Sequence, residues 1–407
     1  MTKKKIFWIL SIIFGLIYRL WLGSLAQLDL VWDSMFYSSM ASEIASGINI
    51  ANCCNIGPGY PLFVGLVYKL FGIDNIVAVR ILQAVVDVIS AILVYLVARR
   101  FFTKKGAVIS FILYITNPIT SSYTGVVLTE VFTLFLVITL VYIWTSKKFP
   151  VRPVGWIVFG FVLGALVITK IGFYQFALFL LVITVFVRIK KKRLLYMILA
   201  SSSFLLATFY SIYINYHTFG KLSAIPPYRT LYGSLYFSVE KQRAGELKGE
   251  PVEVSDEYAQ YIQKYYDLYV YNPSAVVEFD RTYREKLFTR FKTYWVSYIG
   301  HFFQNNLWMW DKYHLYVYHD PFYPADIWPV RVLNVCYISF FLIGLGLFIR
   351  KTKIWYPNPM IVFSLLLLIY MAGIFPLFNN ETRLSLPFYP LIFLWGGYGV
   401  SRFISQK

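Results

Sequence analysis

Five ionisable residues stand in or beside apolar runs, where a charge is costly. Asp33 lies in Trp32-Asp33-Ser34-Met35-Phe36-Tyr37, just past the first apolar run. A carboxylate there suits accepting a proton from a hydroxyl. Aspartate also caps helices, and a helical pattern begins at Asp33, so composition alone leaves both readings open. Glu130, in Val127-Leu128-Thr129-Glu130, sits a few residues into another apolar run. An ionisable group at such depth marks a functional site, unless it only pairs with a neighbouring cation. Lys170 occupies the short turn Thr169-Lys170-Ile171-Gly172, and Arg383 stands in Glu381-Thr382-Arg383-Leu384-Ser385-Leu386-Pro387. Arg80 lies near the start of the second apolar run. Basic groups suit phosphate, which arginine binds with two parallel hydrogen bonds. The plainer reading of each cation is a reach toward lipid headgroups.

Other residues could shape such a site. Asn55-Ile56-Gly57-Pro58-Gly59-Tyr60-Pro61-Leu62 reads as a rigid turn whose glycines permit close backbone approach. Aromatic residues anchor at membrane interfaces, and some can instead stack on a sugar ring. Tyr37, Tyr60 and Glu381 are the candidate substrate contacts. Arg19 and Asp87, deeper in the first two apolar runs, read as a structural ion pair. Cys53 and Cys54 are adjacent and form no metal-ligand spacing with Cys336, and the four histidines include no HExxH.

The elements that must hold these residues are membrane helices. The 407 residues are 58% apolar, 20% aromatic and 14% charged. Soluble domains average about 45–50% apolar and about 25% charged. This composition, with a mean hydropathy of +0.59, excludes a disordered chain, a nucleic-acid-binding domain and an ordinary cytosolic enzyme. A bilayer-embedded chain fits, because lipid accepts its apolar surface. Ten segments qualify as spans: 6–26, 76–99, 106–122, 125–145, 154–169, 172–189, 194–216, 329–349, 359–377 and 386–404. Segment 60–72 is short for a span and reads as interfacial or re-entrant. The first segment, with Arg19 and Trp21 in its second half, is expected to be an uncleaved helix.

The net charge of +18 is a topology signal. With the N-terminus inside, the inside segments hold 20 basic residues and no acidic one. The other 18 basic residues and all 20 acidic ones lie outside or within the membrane. This is the excess that keeps loops cytoplasmic, so both termini are expected inside. Two external segments are large, 27–75 and 217–328. The chain divides into a membrane module over 1–216, an external cap over 217–328 and C-terminal helices over 329–407. Asp33–Gly47 reads as an amphipathic helix stopping at glycine. Ser274–Asn306 has helical periodicity and leads into Leu307-Trp308-Met309-Trp310, and segment 256–271 is tyrosine-rich. No internal repeat is visible.

An acid after the first span, a Gly-Pro-Gly-Tyr-Pro-Leu-Phe turn, a Thr-Glu, a Thr-Lys turn and a late Glu-x-Arg-x-x-x-Pro occur in that order. In this order and sidedness the sequence resembles the GT-C superfamily of polyprenyl-phosphate-sugar-dependent glycosyltransferases. The nearest branches are the protein O-mannosyltransferase and aminoarabinose-transferase-like ones. The resemblance covers most of 1–216 and the 379–390 motif. It implies a shared N-terminal bundle of seven helices, two interfacial helices in the first external loop and variable C-terminal helices; with the span count the expected fold is an all-α polytopic bundle of about ten spans with a helical external cap. It also implies transfer of a sugar from a polyprenyl-phosphate donor to an external acceptor, with inversion at the anomeric carbon. Asp33 matches the family's first-loop acid, the general base, and Glu130 matches the second acid. Lys170 and Arg383 match positions near the donor phosphate, and Arg80 shares their leaflet. The family's acidic pair is absent, since Ser34 follows Asp33. The aminoarabinose-type lysine is also absent, since Ile56-Gly57 stands in its place.

The expected protein is an integral membrane glycosyltransferase of the cell envelope, with its active site on the external face. Its partners are the lipid-linked donor, an extracytoplasmic acceptor (glycolipid, glycan or protein) and the bilayer, with no nucleic acid. No cofactor is expected, and so few carboxylates favour metal independence. Two alternatives stay open: a polytopic transporter or lipid flippase, and an O-antigen ligase-like enzyme using a lipid diphosphate.

Overall fold

A computed structural model describes residues 3–26, 30–31, 33–47, 57–147, 149, 152–188, 193–225, 275–316, 327–352, 358–377 and 381–405. It also describes the isolated positions 236, 260, 263–264, 267–268 and 272. Cys53, Cys54 and most of segment 256–271 lie outside these residues.

Among the described residues the chain is helical throughout. α1 (Lys3–Leu25) is followed by α2 (Asp33–Ala45), α3 (Gly59–Phe71) and α4 (Ile76–Phe101). Then come α5 (Lys104–Ile115), α6 (Pro118–Ser121), α7 (Glu130–Trp144), α8 (Pro153–Thr169), α9 (Tyr174–Arg188) and α10 (Arg193–Phe219). After the cap region follow α11 (Val276–Trp310), α12 (Ile327–Thr352), α13 (Pro359–Ile374) and α14 (Tyr389–Ser405).

Among the described residues five helices are long and apolar enough to cross a bilayer: Lys5–Leu25, Ile76–Phe101, Leu194–Phe219, Trp328–Lys351 and Pro359–Leu377. Helices α3, α7, α8 and the Ile171–Thr184 stretch are apolar but shorter. Large apolar side chains remain exposed on the outer faces, such as Ile9, Leu10, Phe14 and Ile17 of α1 and Leu205, Leu206 and Phe209 of α10. That is the surface of a bundle solvated by lipid.

Several expected spans are corrected at one end. The run 106–122 is not one helix. Helix α5 stops at Ile115, and Asn117 caps a new short helix by accepting from the Ile119 amide. Pro118 at its first position suits a helix start. The next helix begins at Glu130 rather than 125, after extended backbone at Val126. The last span begins at Tyr389 rather than 386, behind a 3-10 segment (Thr382–Phe388) that contains Pro387. Each correction shortens a span and gives one end of it an irregular backbone that can aim side chains.

The external elements follow the sequence pattern. α2 ends before Gly47, whose φ of 73° suits a residue without a Cβ. α2 and α3 pack together, with Ser38 Oγ and Tyr68 Oη 2.7 Å apart. α11 covers the expected helix 274–306 and bends at Tyr294, where φ and ψ leave helical values.

The bundle is locked by buried aromatic packing and one deep ion pair. Trp144, Trp156 and Trp395 are fully buried. Arg19 Nε donates to Asp87 Oδ2 at 2.7 Å, and both side chains are fully buried. Tyr114 donates to Asp87 Oδ1 at 2.6 Å, and Arg19 also donates to the Gly15 and Ile115 carbonyls. The pair therefore ties α1, α4 and α5 in the role expected of it.

Candidate active site

The start of α2, the start of α7, the end of α8 and the 3-10 segment that leads into α14 come together through their charged side chains. Glu130 is the first residue of α7 and is buried. Lys170 is the residue at which α8 stops, with extended φ and ψ of −139° and 94°. Its Nζ donates to Glu130 Oε1 at 3.0 Å.

The glycine-proline turn sets where Lys170 stands. A Cβ on Gly57 would overlap the Ile168 carbonyl. One on Gly59 would sit 2.7 Å from the Thr169 nitrogen. Only glycine lets this turn press against the last residues of α8. From the other side, Phe173 packs edge-on against Phe375 at 5.3 Å, and Tyr370 Oη donates to the Gly172 carbonyl.

Arg383 is the hub. Its Nη2 donates to Asp33 Oδ2 at 2.5 Å, and its Nε donates to Glu381. Its Nε also lies 3.9 Å from Glu130 Oε1. The guanidinium thus reaches three carboxylates from three elements while only 11% exposed. Asp33 and Glu381 are the open members, with side chains 36% and 38% exposed, while Glu130 is buried. The 3-10 segment that carries Arg383 is pinned by Ser385, whose Oγ donates to the Met309 carbonyl on α11 at 2.7 Å. Among the described residues no group of three or more His, Cys, Asp or Glu is arranged to hold a metal ion. Asp33, Glu130 and Glu381 turn to the guanidinium.

The other expected residues take separate places. Tyr60 is fully buried and donates to Gln83 Oε1 at 2.8 Å, while Gln83 donates to the Thr124 and Val126 carbonyls. It supports the chain leading into Glu130 from behind. Tyr37 packs edge-on against Tyr60 at 5.3 Å. Arg80 lies between α4 and α1, and its Nη1 donates to the Gly23 carbonyl at 3.4 Å.

Lys312 was missed at the level of sequence. It follows Asp311, the residue that ends α11. Asp311 is held by a two-pronged bond from Arg331, with Nε to Oδ1 at 2.9 Å and Nη2 to Oδ2 at 2.6 Å. Lys312 is 1% exposed, and its Nζ makes no hydrogen bond among the described residues. The ammonium lies 5.7 Å from the Tyr389 ring centre, and Lys170, Glu130 and Asp311 all act on its charge. Burial pushes this lysine well below the ordinary lysine range. No spacing announces it, since Asp311-Lys312-Tyr313-His314 reads as a solvated loop.

Residues 55–213 match the family model of the dolichyl-phosphate-mannose-protein mannosyltransferases. The matched stretch includes the proline turn, Glu130 and Lys170, while Asp33 and Arg383 fall outside it. No curated protein sequence matches the chain significantly. Among solved structures, the apo oligosaccharyltransferase of Archaeoglobus fulgidus aligns at a TM-score of 0.56 and 13% identity, over 100% of this chain and 52% of that one. The same archaeal enzyme, AglB, in complex with an inhibitory peptide and a dolichol-phosphate, aligns at 0.54 and 14% identity, over 100% and 51%. This chain thus spans about half the length of those structures, and the likeness is one of fold. The match of residues 55–213 to that family's model and the fold shared with those structures agree with the order of motifs along the sequence: this stretch is similar to the dolichyl-phosphate-mannose-protein mannosyltransferases, and the chain shares its fold with the archaeal oligosaccharyltransferase.

Proposed function

We propose that the protein transfers a sugar from a polyprenyl-phosphate donor to an acceptor hydroxyl at the non-cytoplasmic face, inverting the anomeric centre. The observation that carries the reading is the linked set Asp33–Arg383–Glu130–Lys170, which puts one open carboxylate beside two cations at one end of the bundle. The cations suit a phosphate that gains charge as it leaves. The carboxylate suits a hydroxyl that loses its proton.

In this reading the donor phosphate enters against Arg383 and Lys170. Its negative charge competes with Asp33 for the guanidinium and frees the carboxylate. The acceptor oxygen then attacks the anomeric carbon opposite the phosphate. The new carbon–oxygen bond forms as the bond to the phosphate oxygen breaks. The hydroxyl proton passes to Asp33, and the electron pair leaves on the phosphate, held by Arg383 and Lys170. Glu130 holds the two cations in register. The basic inside loops favour placing this end of the bundle outside. The AglB structure is a complex with a dolichol-phosphate, which supports a lipid-phosphate donor here by likeness of fold.

The test is donor choice. Purified protein is incubated with host membranes and a panel of radiolabelled lipid-linked sugars, both monophosphate and diphosphate. Consumption of a lipid monophosphate hexose or pentose is expected. Consumption of only diphosphate donors would overturn the donor assignment, and lipid movement without sugar transfer would favour a transporter.

A further inference from the structure

We propose that Lys312 is a proton-coupled ligand for the phosphate of the lipid-linked donor, a role that rests on the glycosyl-transfer reading. Its ammonium is buried and unpartnered among the described residues, and it stands within electrostatic reach of Lys170 and Glu130. Burying such a group without a hydrogen bond costs free energy, so it persists where a ligand supplies the partner. The nearby carboxylates are already committed. Glu130 binds Lys170 at 3.0 Å and lies 3.9 Å from Arg383, and Asp311 is held by Arg331. Tyr389 offers only its ring face. Nothing among the described residues completes the hydrogen bonds of this ammonium, and an anion held by Arg383 and Lys170 would do so.

The charge state makes the role specific. Burial lowers the lysine pKa most, Lys170 lowers it further, and Glu130 and Asp311 only partly oppose them. The empty site thus holds the lysine proton less tightly than water does. A bound phosphate adds negative charge and draws a proton onto the amine. Between the pKa of the empty site and that of the complex, binding takes up a proton. Affinity falls as pH rises through that window, and below it Lys312 is already charged and no uptake occurs.

Calorimetry on the full chain in detergent reads this directly. Binding of polyprenyl phosphate is measured at pH 8 in two buffers of different ionisation enthalpy. At that pH the phosphate monoester has already lost its second proton, with a pKa of about 6, so uptake reports the protein. Wild type is expected to take up protons on binding, read from the difference between the two buffers. Lys312→Met is expected to bind about 10–100-fold more weakly, by loss of a charge-assisted hydrogen bond, and to take up none. Its thermal midpoint is expected to equal or exceed that of wild type, because an unpartnered buried amine has gone. Lys312→Arg is expected to regain part of the affinity without proton uptake, since guanidinium stays charged. Inorganic phosphate is expected to show the same Lys312-dependent uptake at higher concentration. Wild-type binding of the lipid phosphate with unchanged affinity and uptake in Lys312→Met would overturn the role of Lys312 alone. Uptake with inorganic phosphate but none with the lipid would overturn the lipid source. Absence of lipid-phosphate binding by wild type would overturn the glycosyl-transfer reading and this inference together.

Discussion

Arg383 donates to Asp33 across 350 positions of sequence, at 2.5 Å. The first external helix and the last span are thereby joined through the two residues with opposite tasks in the proposed reaction. The contact makes Asp33 available only when something else engages the guanidinium. In the proposed reaction the donor phosphate does so by charge, and the expected order is donor first and then the acceptor.

Removing the charge of Glu130 leaves Lys170 and Arg383 facing each other in a buried setting. Glu130→Gln is expected to destabilise the protein by about 3 kcal/mol, the scale for breaking a buried pair from one side. Sugar transfer should fall less than in a variant lacking the base. Thermal unfolding in detergent, with turnover on the folded fraction, checks both. An unchanged midpoint would mean that the two cations do not depend on Glu130.

The Arg19–Asp87 pair is structural and predicts the opposite split. Asp87→Asn strands a fully buried guanidinium and is expected to lose about 3–5 kcal/mol. Turnover per folded molecule should stay near wild type, because the pair lies below the site. A large loss of specific activity at full folding would contradict this.

Gly59→Ala tests the positioning of Lys170. The added methyl would press on Thr169, so the turn or the end of α8 must shift. Donor KM is expected to rise about tenfold, a shift of roughly 1.4 kcal/mol in phosphate binding. Steady-state kinetics over a donor series measures it, and an unchanged KM would show that Lys170 is placed without the turn.

Chelation is expected to leave transfer within about twofold of its starting rate, because Arg383 and Lys170 already offset the site's carboxylates and can stabilise the leaving phosphate. Activity lost to EDTA and restored by magnesium or manganese would place a cation among Asp33, Glu130 and Glu381.

The legibility of the sequence follows the physics. Asp33, Glu130, Lys170 and Arg383 stand out because a charge near an apolar run is expensive. The expected spans 6–26, 76–99, 194–216, 329–349 and 359–377 read well from hydropathy, since lipid demands long uninterrupted runs. What did not read well is set by tertiary contact. The ends of the spans near Pro118 and Pro387 were drawn too long, because composition stays apolar where the backbone has already turned. Tyr60 looks like a surface aromatic until Gln83 takes its hydroxyl in the interior. Lys312 is hidden most completely. Its burial comes from residues far away in sequence, with Tyr389 over its amine and Ser385 pinning the adjacent end of α11.

The most direct test of the account is sugar transfer by Asp33→Asn, measured with the radiolabelled lipid-phosphate donor that wild type consumes. A folded variant is expected to lose about 10²–10⁴-fold in turnover, the usual contribution of a positioned acid or base. Wild-type turnover in a well-folded Asp33→Asn protein would contradict the assignment of Asp33 as the base.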